Sequence, residues 1–177
     1  ARDEDFIEYV HQANMHSTMM FFTEQGRLYW TKVYELPEGN RQSKGRALQN
    51  MINIQKGDKV CAFIHVKNLN DMEYVQNHYL IFATKDGLMK KTTLESYSRP
   101  RANGIIALGL REGDRLIRVT LTDGNSQMLV ASYNGKVVRF PEDTVRPMGR
   151  TATGVRAIKL DEDGQDRVIG MICVEEG

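Results

Sequence analysis

Short apolar runs alternate along this chain with turn-forming residues, and three stretches repeat one pattern. TMMFFTEQGRLYWTKV (18–33), YLIFATKDGLMKKTTL (79–94) and SQMLVASYNGKVVRFP (126–141) each read as an apolar run, a Thr or Ser, two residues, a glycine and a mixed run. The anchor glycines Gly26, Gly87 and Gly135 are spaced 61 and 48 residues apart. A second element follows each: SKGRALQNMI (43–52), ANGIIALGL (102–110) and ATGVRAIKL (152–160). A third closes each unit: KGDKVCAFIHV (56–66), EGDRLIRVTL (112–121) and GQDRVIGMICV (164–174). Nine of the 15 glycines fall at these recurring places, so the repeat is built around turns. A polar insertion, VKNLNDMEYVQNH (66–78), lengthens the first spacing.

Each unit is expected to form four short β-strands. Val, Ile, Tyr, Phe and Thr fill the runs, and no stretch sustains a 3.6-residue period. Asp86-Gly87 and Asn134-Gly135 predict type I′ hairpins, with positive φ at both central residues. Asp123-Gly124 marks a further tight turn. A four-stranded unit at this period is the mark of propeller-like blades, so the fold class is all-β, a propeller-like array of four-stranded blades. The expected blades are 18–66, 79–122 and 126–174. DFIEYVHQAN, within residues 1–17, matches the last strand of a preceding unit. Propellers close with four or more blades, so three predict a piece of a longer chain. The acidic start without an initiator Met agrees with that expectation.

Charge is unevenly spread. The chain is net +1, yet residues 21–158 carry 21 bases against 13 acids, and both ends are acidic. The stretch after each second strand is basic in every unit. GNRQSKGR (39–46) holds Arg41, Lys44 and Arg46; SYSRPRANG (96–104) holds Arg99 and Arg101; VRPMGRTATGVR (145–156) holds Arg146, Arg150 and Arg156. None of the three contains an acid. Equivalent loops of a repeat array lie along one edge, so these eight bases predict a curved basic stripe suited to phosphates. Gly45, Gly104 and Gly154 would let backbone N–H groups approach phosphate oxygens. Lys90, Lys91, Lys136 and Arg139, on the second strands, either extend the stripe or blunt strand edges. Tyr29, Trp30, Tyr34 and Tyr97 sit beside the basic stretches and are expected to pack in the core or rim.

Other chemistries find little support. Cys61 and Cys173 are far apart in apolar runs, which suggests neither a disulfide framework nor a metal site and fits a reducing cytoplasm. His11, His16, His65 and His78 do not recur in phase, as a propeller hydrolase would need. GRTATG (149–154) lacks the lysine of a phosphate-binding P-loop, and there is no GxSxG elbow. Asp58 and Asp114 follow turn glycines, where a carboxylate caps the turn. No apolar run reaches membrane-spanning length. A protein-interaction propeller is the competing class, and the in-phase charge argues against it.

FFTEQGRLYWTKVYELPE (21–38), SKGRALQNMI (43–52), YSRPRANGIIAL (97–108) and VRPMGRTATGVRAIKL (145–160) closely resemble the C-terminal domain of the gyrase A protein of DNA gyrase, in order and over nearly the whole chain. The resemblance implies a β-pinwheel, a propeller variant with strand exchange between blades. It implies a non-catalytic module that binds and wraps double-stranded DNA on its basic rim. The parent would be an ATP-dependent type II topoisomerase, a bacterial cytoplasmic isomerase that introduces negative supercoils. Its partners would be the remainder of gyrase A, together with gyrase B, in an A2B2 enzyme. ATP and magnesium would be used through other parts, with no cofactor here. The family's first-blade basic box, QRRGGKG, is absent; Arg41, Lys44 and Gly45 form its nearest degenerate copy. The C-terminal domain of the equivalent topoisomerase IV protein is the related alternative.

Overall fold

The computed structural model describes residues 15–33 and 53–174. Three hairpins carry the repeat: β1 (Thr18–Thr23) with β2 (Arg27–Lys32), β4 (Tyr79–Thr84) with β5 (Leu88–Thr93), and β8 (Gln127–Ser132) with β9 (Val137–Pro141). Each hairpin is flanked by a third antiparallel strand: β3 (Val60–Val66), β7 (Leu116–Thr122) or β11 (Val168–Val174). β6 (Ile105–Ile106) and β10 (Val155–Arg156) are two-residue strands. Within the 66–78 insertion lies one short helix, α1 (Met72–Gln76), whose N-terminus is capped by the Asp71 side chain.

The shared phrase has a local explanation. Gly26, Gly87 and Gly135 donate backbone N–H groups to the carbonyls of Thr23, Thr84 and Ser132, three residues back. The same Thr and Ser hydroxyls accept from the N–H of Arg27, Leu88 and Lys136. One side chain and one glycine therefore close each turn. The turns are not type I′: only the glycines have positive φ (85°, 94° and 90°), and no non-glycine residue among those described does. Asp86 and Asn134 stay in ordinary backbone regions because a three-residue loop, a type I turn ending in a left-handed glycine, already matches the strand twist.

Asp58 and Asp114 act as the turn logic predicts, but also reach across to the hairpin turn of their own unit. Asp58 Oδ1 accepts from the N–H of Gln25 and Lys59, and Asp114 Oδ1 from Asp86 and Arg115. Asp166 does the same for Asn134 and Arg167. The third strand of each unit is thereby tied to its hairpin turn.

Sheet boundaries do not follow repeat boundaries. The first sheet runs β3-β1-β2-β6 and the second β10-β5-β4-β7, so each borrows its edge strand from the following unit. The third, β11-β8-β9, has three strands among the described residues. The exchange is in phase: Ala107 N–H donates to Gly26 O (2.7 Å) and Ala157 N–H to Gly87 O (2.8 Å).

The core lies between sheets. Met20, Phe22 and Leu28 meet Leu80, Phe82 and Tyr97 in one cluster; Ile81, Ala83 and Met89 meet Met128, Val130 and Met171 in the next. Phe22 and Phe82 make an edge-to-face contact at 5.5 Å. The central strand β4 is thus buried on both faces, which is why its sequence YLIFAT shows no alternation. Each buried large apolar side chain contributes about 1.5–3 kcal/mol, so these seams hold the blades together.

Candidate nucleic-acid interface

The basic stretches are the straps that carry the chain from one blade to its neighbour. After β5 a 3-10 turn (Leu94–Tyr97) leads past Arg99 and Arg101 to a turn at Gly104, whose N–H donates to Arg101 O, and then into β6. After β9 a second 3-10 turn (Glu142–Thr144) leads past Arg146 and Arg150 into β10 and Arg156. Arg99, Arg101, Arg146 and Arg156 are exposed, and Arg150 is half-buried. The two straps touch. Arg150 donates to Ile106 O (2.7 Å), and Gly109 N–H donates to Ala152 O (3.1 Å). Strap residues of the second and third units therefore form one continuous edge with exposed guanidinium groups on both parts. Arg41, Lys44, Arg46, Gly45 and Tyr34 lie outside the described residues.

The strap glycines serve the exchange itself. A Cβ on Gly154 would stand 2.2 Å from Met89 O, and one on Gly104 2.7 Å from Leu28 O and the Tyr29 ring. Both have positive φ, 104° and 73°. Their freedom is used for approach to the neighbouring second strand.

Lys90 and Lys91 correct the sequence reading more sharply. Both are buried, at 0% and 4% exposure, and neither extends a surface stripe or blunts an edge. The neighbouring strap covers each of them, on opposite faces of β5: Lys90 lies on the Phe82 side, in the cluster of the first and second units, and Lys91 on the Ile81 side, toward the third unit. Lys91 Nζ lies 3.7 Å from Glu142 Oε2, donates to Glu142 O and sits over the Tyr79 ring. Glu142 is fully buried and also accepts from Thr122 Oγ1 (2.6 Å) and Ser126 N–H (2.9 Å). Lys90 Nζ donates to Tyr97 Oη and to the carbonyls of Ala107 and Arg150. Burial, reinforced by the Arg150 charge, pulls the Lys90 ammonium down to about 7. The register equivalents in the first unit are Tyr29 and Trp30: Tyr29 is buried, and Trp30 Nε1 donates to Tyr97 O. Tyr97 is fully buried, so the described aromatics near the straps pack rather than face solvent.

Lys136 sits away from the straps, at the β8–β9 turn. It pairs with Asp161, whose hydrogen bond holds the ammonium above its ordinary value, and donates to Lys159 O. Asn134 bridges Asp161 and Asp163 beside it. Arg139 is exposed on β9. Among the described residues, no group of three His, Cys, Asp or Glu side chains is placed to hold a metal ion. Glu142 was not apparent from the sequence alone, because a single Glu after Phe-Pro reads as a solvated turn.

A propeller-like array whose blades are completed by strands of the following repeat is a β-pinwheel. The family model for the DNA gyrase C-terminal domain, beta-propeller, matches residues 17–67, 78–123 and 127–175. The chain belongs to that family. It is 46% identical to the DNA gyrase A protein of Salmonella typhimurium over 171 residues, 97% of this chain and 19% of that protein. To the gyrase A protein of Staphylococcus aureus it is 41% identical over 169 residues, 96% of this chain and 18% of the relative. The chain thus spans about a fifth of the curated relatives it matches. Among solved structures, the C-terminal domain of DNA topoisomerase IV aligns with a TM-score of 0.78 at 26% identity, over 92% of this chain and 49% of that one. A DNA gyrase A C-terminal domain aligns at 0.71 and 20% identity, over 91% and 49%, a likeness of fold.

Proposed function

We propose that this chain is a DNA-binding and DNA-wrapping module of a gyrase A protein, with duplex phosphates tracking the strap edge. The observation that carries the reading is the contact between consecutive straps: Arg150 reaches Ile106 O, which supports a connected rim carrying the exposed Arg99, Arg101, Arg146 and Arg156. Arg41, Lys44 and Arg46 would extend that rim in the first unit, and Arg139 stands exposed on the third blade. Lys136, engaged by Asp161, contributes less. Guanidinium forks suit phosphate oxygens, and the strap edge presents no helix for a major groove. Binding is therefore sequence-independent. The module itself does no chemistry: the topoisomerase reaction, with ATP and magnesium, belongs to the parent's other parts and to gyrase B in the bacterial cytoplasm.

The test is duplex binding across a salt series. Charge-neutral substitution of Arg99 with Arg101, and of Arg146 with Arg156, should each weaken binding and reduce the log K against log salt slope by about 0.9 per lost phosphate. Substituting Lys56 and Lys59, in the turn before β3, should change little. Unaltered affinity and slope in the strap variants would move the DNA path elsewhere.

A further inference from the structure

The strap of the second unit is gripped at four of its carbonyls, each by a side chain from outside it. Trp30 Nε1 donates to Tyr97 O (3.0 Å), Arg27 Nη2 to Asn103 O (3.2 Å), Arg150 Nη1 to Ile106 O (2.7 Å) and Lys90 Nζ to Ala107 O (2.6 Å). The Arg150 grip differs from the rest. β6 pairs with β2 through Ile105 and Ala107, so the backbone of Ile106 points to the open edge of the sheet. Arg150 reaches that edge carbonyl from the following strap, while its own carbonyl is held inward by Lys90. A few residues further along, the two backbones come together. Gly109 N–H donates to Ala152 O (3.1 Å), and a Cβ on Gly109 would stand 2.8 Å from Thr151 O.

We propose that Arg150 is a positioning residue for duplex binding: a clasp that sets the spacing of the two straps, and not one of the phosphate ligands. This rests on the DNA-binding reading above. Arg99, Arg101, Arg146 and Arg156 are exposed, two on each side of the contact, whereas Arg150 is half-buried with its guanidinium on β6. A duplex offers phosphates at fixed intervals, so two pairs of arginines engage it at least cost when their separation is set beforehand. Arginine suits the task. Its planar fork is preorganised, so little rotamer freedom is lost per hydrogen bond, and its charge does not depend on working pH. The carbonyl it caps is also one at which a stray strand would otherwise pair with β6.

The experiment is binding of a labelled duplex to the whole chain across a salt series, at a temperature where each variant keeps the wild-type far-UV spectrum. Arg150→Met removes the clasp together with a charge. Gly109→Ala changes no charge and no positive-φ position, but its Cβ forces the two straps apart. Gly149→Ala, on the same strap as Arg150 with nothing within 4 Å of its Cβ position, is the control. Arg150→Met and Gly109→Ala should each weaken binding about three- to tenfold at every salt concentration, the scale of one hydrogen bond, with the slope of log K against log salt unchanged. Arg99→Gln combined with Arg101→Gln should instead lower that slope by about 0.9 per lost phosphate. Gly149→Ala should bind as wild type. A slope lowered by about 0.9 in Arg150→Met makes Arg150 a phosphate ligand and overturns the clasp. Wild-type affinity in Gly109→Ala overturns it too, whatever Arg150→Met does. If Arg150→Met does not fold, Arg150→Gln, too short to reach Ile106 O, takes its place. If wild type binds no duplex, the functional reading fails and the clasp is read in the free chain. There the Gly109 N–H should exchange at least about tenfold faster in Arg150→Met than in wild type; unchanged exchange overturns it.

Discussion

Replacing Gly154 with Ala should detach a strap, and the structure supplies both the magnitude and the control. Gly154, at φ 104°, would place a Cβ 2.2 Å from Met89 O, whereas Gly135, at φ 90°, has nothing within 4 Å of its Cβ position. Both substitutions carry the left-handed backbone cost, about 1–2 kcal/mol. Only Gly154→Ala adds a clash with backbone, which cannot rotate away. Relief requires β10 to leave β5, losing the pairing of Val155 with Met89 and Arg156 with Leu88, and the Ala157–Gly87 hydrogen bond. Those bonds are worth about 1 kcal/mol each. Unpacking Ile158, 3% exposed, adds about 1.5–3 kcal/mol. Gly154→Ala should therefore cost about 4–6 kcal/mol more than Gly135→Ala, or about 8–24 °C in Tm. Gly104→Ala, with a 2.7 Å approach to Leu28 O, should fall between them. Scanning calorimetry gives the order, and amide exchange should show the new opening at Ala157. If all three variants melt within about 1 kcal/mol of one another, the close approach does not hold the straps.

The seam residues yield further outcomes. Glu142→Ala strands the buried Lys91 ammonium and the Ser126 N–H, so urea titration should show a loss of about 3–5 kcal/mol, with part recovered by adding Lys91→Met; no recovery would mean the ion pair is not the cause. For Lys90 the folded value of about 7 lies below the unfolded 10.5, so between them the unfolded chain binds more protons. Stability from this residue then rises with pH across that window, by up to about 1.4 kcal/mol per pH unit, and is absent in Lys90→Met. A flat wild-type-minus-variant difference from pH 6.5 to 9.5 would refute it. Asp114→Ala frees the Asp86 and Arg115 N–H groups at an exposed turn and should cost about 1 kcal/mol by urea unfolding.

The hairpins were legible because Thr or Ser and Gly sit at a fixed separation, each making a local hydrogen bond that needs that residue type. Turn type was not, since Asp-Gly and Asn-Gly fit both a two-residue and a three-residue loop, and only backbone angles separate them. Strand exchange left a weaker trace. ANGIIAL and ATGVRAI recur in phase, but two-residue strands pair with whichever edge approaches, and that edge belongs to the preceding unit. The Asp caps were half-visible: the Gly-Asp dipeptide marks a turn, while the hairpin turn it ties is distant in sequence.

Lys90 and Lys91 show where pattern reading fails and what would correct it. A lysine pair on a strand ordinarily marks solvent, and LMKKTT offers no alternation to say otherwise. Yet the equivalents of these two positions in the first unit are Tyr29 and Trp30, large side chains that need burial. A repeat position that holds Tyr in one unit and Lys in the next is a seam position before it is a surface one. Its lysine must find acceptors inside, and the acceptors within reach are the carbonyls of the straps. The rim and the seam are therefore one construction: the arginines that face outward are carried by backbone whose inward carbonyls are held by buried lysines. The register of the exposed strap arginines is thus set from within the blade stack.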